Sequence, residues 1–391
     1  MNLIRPSYEI IEQGPGLQGI YDIIEIAGKT SYKSKVEGGA TAEKFVKWRA
    51  DEKHGAVLEF GTVYLKLEIG SPMEDPDYLE KFDIVNFYKW NKYSVVHEDA
   101  ESRKIEGMKH STIIDVYYIT TNYRVIVENN RQNDLQFLCD MPEDGHERRY
   151  CVRFILDRFT GEEFLRHRVF SFCRESTRYC NYSKEKFNSN ITFIIPPWIP
   201  KNILATGNDI AYWDGDWVDM KKLNIVKYGT GTKKFDKVDH WLNSLHTAEL
   251  SYLHLTKKDE DWDEGGEKEW TAQEARTVLP CAIKSPLIMC GFEHDYYHWF
   301  HLRALGTTGA PHPQAKELAY PLMKEFIKRG YIDGPMLYKS TERYSEAYSK
   351  TKKCVVLVYS TDNKEYYDFV NDETYSPDEL EFDFGEDLSK M

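Results

Sequence analysis

Fourteen consecutive residues, Arg166-His167-Arg168-Val169-Phe170-Ser171-Phe172-Cys173-Arg174-Glu175-Ser176-Thr177-Arg178-Tyr179, concentrate four arginines, a histidine, a glutamate and several hydroxyls in a chain of formal net charge -13. Guanidinium groups offer planar bidentate forks and hydroxyls offer short-range donors, so this composition suits the oxyanions of a phosphate. The same charges also fit a solvated helix laced with i,i+4 ion pairs. Such groups need rigid support. Thr160 and Glu163 have the spacing of a capping box, which predicts a helix entering the stretch with no breaker before Tyr179. That helix places Glu163, Arg166 and Phe170 on one face and Arg168 and Ser171 on a neighbouring one. Residues 174–179 lose apolar periodicity and read as a loop presenting guanidinium, hydroxyl and backbone N–H groups together.

Arg166-His167-Arg168, seven residues and then Ser176, followed by Arg178-Tyr179-Cys180-Asn181-Tyr182-Ser183-Lys184, resembles the signature of the flavin-dependent thymidylate synthases. Other blocks agree in order. His54-Gly55-Ala56-Val57-Leu58-Glu59-Phe60 is similar to a family segment that touches the flavin, with Ala56 in place of a hydroxyl residue and Phe60 in place of a second histidine. Ala275-Arg276-Thr277-Val278-Leu279-Pro280 resembles the segment that brings an arginine to the nucleotide from another subunit. His298-Trp299-Phe300-His301-Leu302-Arg303 and His312-Pro313-Gln314-Ala315-Lys316-Glu317 resemble the last block. Further departures are Arg174, where the family usually has Glu or Gln, and Phe292-Glu293-His294 in place of an Asn-x-Arg.

The resemblance covers residues 1–69, 148–200 and about 267–332. It implies an α+β fold of the thymidylate-synthase-complementing type, a mixed sheet wrapped by long helices, in a homotetramer with shared active sites. It further implies reductive methylation of dUMP to dTMP, with FAD reduced by NADPH as hydride carrier and 5,10-methylenetetrahydrofolate as carbon donor. Around dUMP it would set Glu163, Arg166, Arg174, Glu175, Ser176, Thr177, Arg178, Arg276 and Arg303, the last polarising the base. Around FAD it would set His54, Glu59, Arg166, His167, Arg168, His294 and His298. The departures leave two other readings: modification of another pyrimidine nucleotide, such as hydroxymethylation, or a non-catalytic nucleotide-binding relative.

With 391 residues and 41% hydrophobic content the chain can bury a sizeable core. The expected organisation is one domain over 1–335, with insertions at about 70–147 and 201–266, and an acidic extension over 336–391. Residues 372–391 carry eight acidic side chains against Lys390 alone. Net acidity argues against general nucleic-acid binding. No apolar run approaches the roughly 18 residues of a membrane span, and no signal-peptide core follows Met1, so a cytoplasmic protein without membrane contact is expected. Seven cysteines, an odd number without a C-x-x-C, suggest reduced thiols and no metal site. Cys281 follows Pro280 as the nucleophile of the folate-only thymidylate synthases does, yet nothing else of that family accompanies it.

Two phosphate-loop lookalikes need separate reasons. Gly14-Pro15-Gly16-Leu17-Gln18-Gly19 lies between a strand at 7–12 and an apolar helical repeat, Leu17, Ile20, Tyr21, Ile24 and Ala27. A dinucleotide fold also needs a second parallel strand ending in an acid, whereas residues 30–40 are polar and glycine-rich, so a plain turn is expected. Gly229-Thr230-Gly231-Thr232-Lys233-Lys234 fails the Walker spacing. Strands are expected at 57–69, 116–121, 123–127, 191–195 and 355–359, and helices at 42–53, 241–255, 292–305 and from His312 to Gly330. A capping box at Thr271-Ala272-Gln273-Glu274 opens a short helix, and the tail is expected to be loosely held.

Overall fold

The computed structural model describes residues 1–72, 75–104, 111–187, 190–199, 237–257, 268–306 and 309–333, with strand segments at 210–212, 344–349, 354–360, 365–368, 373–375 and 380–382. Most of the insertion expected at 201–266, including Gly229-Thr230-Gly231, lies outside the described residues. The chain divides into two compact units, Met1–Phe292 and Glu293–Met391.

In the first unit one antiparallel sheet carries the signature. Its strands β2 (Ser7–Ile11), β6 (Arg149–Ile155), β7 (Ser171–Arg174) and β10 (Leu287–Phe292) run in the order β2-β6-β10-β7. Leu287, Ile288, Met289, Cys290 and Gly291 are all buried, as befits a strand covered on both faces. Helix α1 (Gly16–Thr30) packs on this sheet through Ile23 and Ala27, which meet Phe60, Cys151, Cys173, Ile288 and Cys290. Ahead of it, Gly14 and Pro15 form the bend that enters the helix, while Gly16 to Gly19, expected as part of a plain turn, is the first helical turn of α1. Gly16 has φ +62°, and a Cβ on Gly19 would lie 1.8 Å from the Gly14 carbonyl oxygen, so the glycines serve tight packing.

The other stripe of α1, Ile20, Tyr21 and Ile24, joins a second core. There helix α2 (Gly39–Asp51) packs beside it, and a three-stranded sheet of β3 (Thr62–Ile69), β4 (Val95–Lys104) and β5 (Ser111–Asn122) runs in the order β3-β5-β4. Helix α3 (Tyr78–Trp90) adds Ile84, Val85 and Tyr88, and α4 (Tyr123–Glu128) adds Val125 and Ile126. The segment 70–147 therefore combines strands with helices and shares its core with α1. A mixed sheet does occur: β1 (Asn2–Ile4) pairs parallel with β8 (Thr192–Ile194) and antiparallel with β9 (Ile210–Tyr212). Helix α6 (Lys237–Leu255) covers its core with Leu242, Leu245 and Tyr252.

The second unit begins with α8 (Glu293–Phe300), which passes into a π-helical turn over His301–Leu305, and continues with α9 (Pro313–Lys328). Tyr296, Trp299, Phe300, Leu322 and Phe326 are buried, and the rings of Tyr296 and Phe326 are 4.8 Å apart. Five antiparallel strands follow, β11 (Tyr344–Ser349), β12 (Cys354–Ser360), β13 (Glu365–Asp368), β14 (Glu373–Tyr375) and β15 (Leu380–Phe382), in the order β14-β13-β12-β11-β15.

Several expectations need correction. Architecture is mixed α and β, but among the described residues four small sheets replace the single mixed one, with separate cores packed against α1 and α6. Residues 55–60 form a 3-10 turn before β3, since Gly55 and Phe60 are pinned between α1 and α4. Residues 123–127 are helical, capped by the Asn122 side chain accepting from the Val125 N–H. Among the described residues the tail contributes five antiparallel strands, the last of which returns to pair with β11, where one strand was expected. Cys151 and Cys290 are joined as a disulfide between register neighbours of β6 and β10, against the expectation of free thiols. Their separation of 139 residues hides that pairing in the sequence.

Within the insertion, Asp134 is buried at 4% exposure and accepts a hydrogen bond from the Tyr88 hydroxyl at 2.9 Å. Burial pushes its carboxyl above the usual range, against the lowering effect of that bond and of Arg131. A raised folded-state value means the stability contribution is present at low pH and is lost as pH rises through it. Asp134→Asn should therefore gain about 1 kcal/mol on wild type at pH 8 and nothing at pH 4, measured by urea unfolding. A variant less stable than wild type at both pH values excludes a strained carboxylate.

Candidate functional site

Strand β10 presents the signature. A Cβ on Gly291 would lie 2.3 Å from the Phe170 ring, so Phe170 packs onto the bare glycine backbone and anchors the start of β7. Burying a Phe side chain contributes about 2–3 kcal/mol. Helix α5 (Arg158–Leu165) delivers the arginines. Its N-cap is Asp157, whose carboxylate accepts from the Thr160 N–H at 3.0 Å and the Thr160 hydroxyl at 2.7 Å. Thr160 is thus inside the helix, and the helix stops at Leu165 because Ser171–Arg174 finds strand partners in Leu287–Cys290. Between them a tight turn exposes Arg166 and Arg168 on either side of the buried His167.

The Arg166 guanidinium lies 3.9 Å from Glu163, a loose and exposed pair. Among the described residues no carboxylate lies within ion-pair distance of Arg168 or Arg276. Arg174 is instead tied to Glu162 at 3.0 Å, bracing α5 against the end of β7. The loop expected after it is present and held at defined points. Ser176 N–H donates to the Ser31 carbonyl at 2.9 Å, and Arg178 Nε donates to Gln273 Oε1 at 2.8 Å. Gln273 lies in α7 (Ala272–Ala275), whose capping box between Thr271 and Glu274 forms as expected, and Arg276 follows directly. Within one chain, then, the loop bearing Ser176 and Arg178 is fastened to the segment that ends in Arg276.

Glu175 and Thr177 point inward. Glu175 is 4% exposed and accepts from the Tyr182 hydroxyl at 2.9 Å, and burial, then the Glu175 charge, raises that hydroxyl above the usual tyrosine range. Glu175 therefore holds the loop from behind. Cys281 is half-buried, and its carbonyl accepts the Arg158 N–H at the start of α5.

On the other side of β7, Ser171 Oγ donates to Glu59 Oε2 at 2.7 Å, which brings the 54–60 segment to the signature. The other oxygen of Glu59 pairs with Arg124, which also binds Glu128 at 2.8 Å. Sequence reasoning assigned no chemistry to residues 70–147, yet Arg124 of this insertion reaches a candidate flavin residue. Nothing in its spacing signals this, because the contact spans 65 positions. His54 Nδ1 lies 3.2 Å from Arg49 Nη1. His294 and His298 lie exposed on one face of α8 and Arg303 half-buried in the π-helical turn, all within the second unit. Burial, then the neighbouring His298, lowers the His301 imidazole. A flavin dinucleotide asks for cationic and N–H donors facing its pyrophosphate and ring oxygens. Arg168, which no carboxylate approaches among the described residues, and Arg166, held only loosely by Glu163, fit that donor requirement.

Glu25 is a second residue that sequence reasoning missed. It is fully buried in α1, pairs with Lys29 at 2.6 Å and accepts from the Gly38 N–H at 2.7 Å. It thereby pins the polar run 31–38, and Ser31 in that run receives Ser176. Burial raises the Glu25 carboxyl, but the bonds from Lys29, Gly38 and Glu37 outweigh it and the net direction is down. A lowered folded-state value gives stability above the ordinary glutamate range that is lost as pH falls through the folded value. Glu25→Gln should cost roughly 3 kcal/mol at pH 7 and progressively less below pH 4, measured by urea unfolding. A cost independent of pH would contradict the charged pairing.

Residues 149–329 match the family model described as thymidylate synthase complementing protein. Among curated proteins none matches the chain. Two similar solved structures are of a UMP/dUMP methylase PolB from Streptomyces cacaoi, one bound with 5-Br dUMP and one with 5-Br UMP. Their identities are 12% and 13%, they cover 84% and 83% of this chain and 93% and 91% of those chains, and both TM-scores are 0.33. The signature lies inside that match, so residues 149–329 are similar to the thymidylate synthase complementing protein family.

Proposed function

We propose that this protein is a flavin-dependent enzyme that reductively methylates dUMP to dTMP, working as a homotetramer with active sites shared between subunits. The observation that carries the reading is the pair of exposed guanidinium groups, Arg166 and Arg168, beside buried His167, in the segment that matches the family. Bound FAD, reduced by NADPH, would supply the hydride, and 5,10-methylenetetrahydrofolate the carbon.

The chain's own residues bind and orient. Ser176, Arg178 and Arg276 would take the nucleotide phosphate, since the loop holding them is fixed by Ser31 and Gln273 before any ligand arrives. Glu175 and Thr177 support that loop, and Glu163 and Arg166 extend it from α5. His54, Glu59, His167, Arg168, His294 and His298 would face the flavin. Arg303 would donate to the pyrimidine carbonyl and stabilise the negative charge that develops as C5 becomes nucleophilic. No protein nucleophile is needed, in keeping with the structural place of Cys281 beside α5.

Purified protein should carry an oxidised-flavin spectrum and convert dUMP to dTMP when given NADPH and methylenetetrahydrofolate. Arg303→Ala should lower kcat by about 10²–10³ while leaving the flavin spectrum in place. Arg168→Ala should lose flavin on purification. Absence of flavin and of product from the wild-type protein sinks the reading, and a hydroxymethylated product redirects it.

A further inference from the structure

Arg49 lies in α2, five residues before His54, and is only 8% exposed. Its guanidinium sits 3.9 Å from the Trp48 ring centroid, 5.1 Å from that of Phe45 and 5.9 Å from that of Tyr32. Nη1 lies 3.2 Å from His54 Nδ1, while Nε is buried without a hydrogen-bond partner. Among the described residues no carboxylate pairs with it. Arginine cannot shed its proton to escape burial, so a charge in this position calls for a counter-charge that the described residues do not provide. Ring faces compensate in part.

Two features show where that counter-charge enters. Because arginine has no acceptor, His54 must accept at Nδ1, which leaves its proton on Nε2 as a further donor. The cage is also open on its outer side: Trp48 is 50% exposed and Tyr32 is 37% exposed. Tyr32 in turn lies 5.1 Å from Tyr179 of the signature loop, whose ring stands 5.4 Å from Arg178. A chain of contacts from guanidinium to ring to ring to guanidinium therefore leads from Arg178 through Tyr179 and Tyr32 to Arg49.

We propose that Arg49 is the anion-receiving group of a subsite walled by Trp48 and Tyr32, which takes a phosphate oxyanion of a ligand that also carries planar rings. The proposal rests on the flavin-dependent reading and deepens it, the phosphate belonging to FAD or to NADPH. Neither the signature nor the segment 54–60 includes Arg49, so the subsite is an addition to the residues expected to bind ligand.

The test uses the full chain and calorimetric titration of pyrophosphate, FAD and NADPH, on wild type, Arg49→Met and Arg49→Lys, each at low and high salt. Arg49→Met should weaken pyrophosphate and one of the dinucleotides by about tenfold or more and remove the salt dependence, and Arg49→Lys should recover part of the loss. The dinucleotide affected identifies the source of the phosphate. Thermal unfolding should be unchanged or raised in Arg49→Met, because an uncompensated buried cation has been removed. Binding of all three ligands within twofold of wild type overturns the proposal, as does a lowered melting temperature with binding intact, which marks a purely structural cation. Should Arg49→Met fail to fold, His54→Ala decides: weaker pyrophosphate binding supports the subsite and unchanged binding overturns it. Wild type that binds pyrophosphate through Arg49 but makes no product from dUMP would sink the proposed reaction and leave this subsite standing.

Discussion

The pairing of β7 with β10 is the constraint on which the first unit depends. Ser171–Arg174 is a four-residue strand, too short to be stable alone, and it lies against the most deeply buried strand of the unit. Phe170 fits over Gly291 at the point where the chain turns from α5 into that strand. Arg166 and Arg168 are left in the turn between helix and strand, outside the sheet and in solvent. Ser176 and Arg178 emerge just past the other end of β7, where the ladder has ended and backbone N–H groups seek partners among loops. The sheet thus sorts one continuous segment into two solvent-facing ends with a buried middle.

Electrostatics reinforces that sorting. The chain is acidic as a whole, yet its carboxylates near the signature have structural duties: Glu175 takes the Tyr182 hydroxyl, Glu59 takes Ser171 and Arg124, and Glu162 takes Arg174. Carboxylates committed in this way leave Arg168 and Arg276 without a close acid among the described residues, so a local positive field survives within a negative molecule. Glu25 does the same at a distance, holding the run 31–38 that receives the signature loop.

The insertion over 70–147 is tied to this arrangement through α1. One stripe of α1 faces the antiparallel sheet and the other faces the core built with α3, β3 and β5. Through that shared helix the insertion can bring Arg124 to Glu59, so an element with no recognisable motif adds a charge beside a recognised one. The disulfide between Cys151 and Cys290 crosses the same sheet, one residue from Gly291.

The residues alone were enough for the chemical identity of the signature, the capping box at Thr271, the helix starting at Pro313 and the apolar repeat of α1, because each depends on residue types at short, periodic spacings. They did not reveal where α5 stops, since Thr160 offers as good a cap as Asp157 until the strand pairing of Ser171–Arg174 is known. Nor did they reveal Arg124 at Glu59, Glu25 at Gly38, the cage around Arg49 or the joining of Cys151 and Cys290. Those are decided by tertiary structure, because each rests on contacts between residues set together by packing, over separations at which no periodicity in the chain carries information.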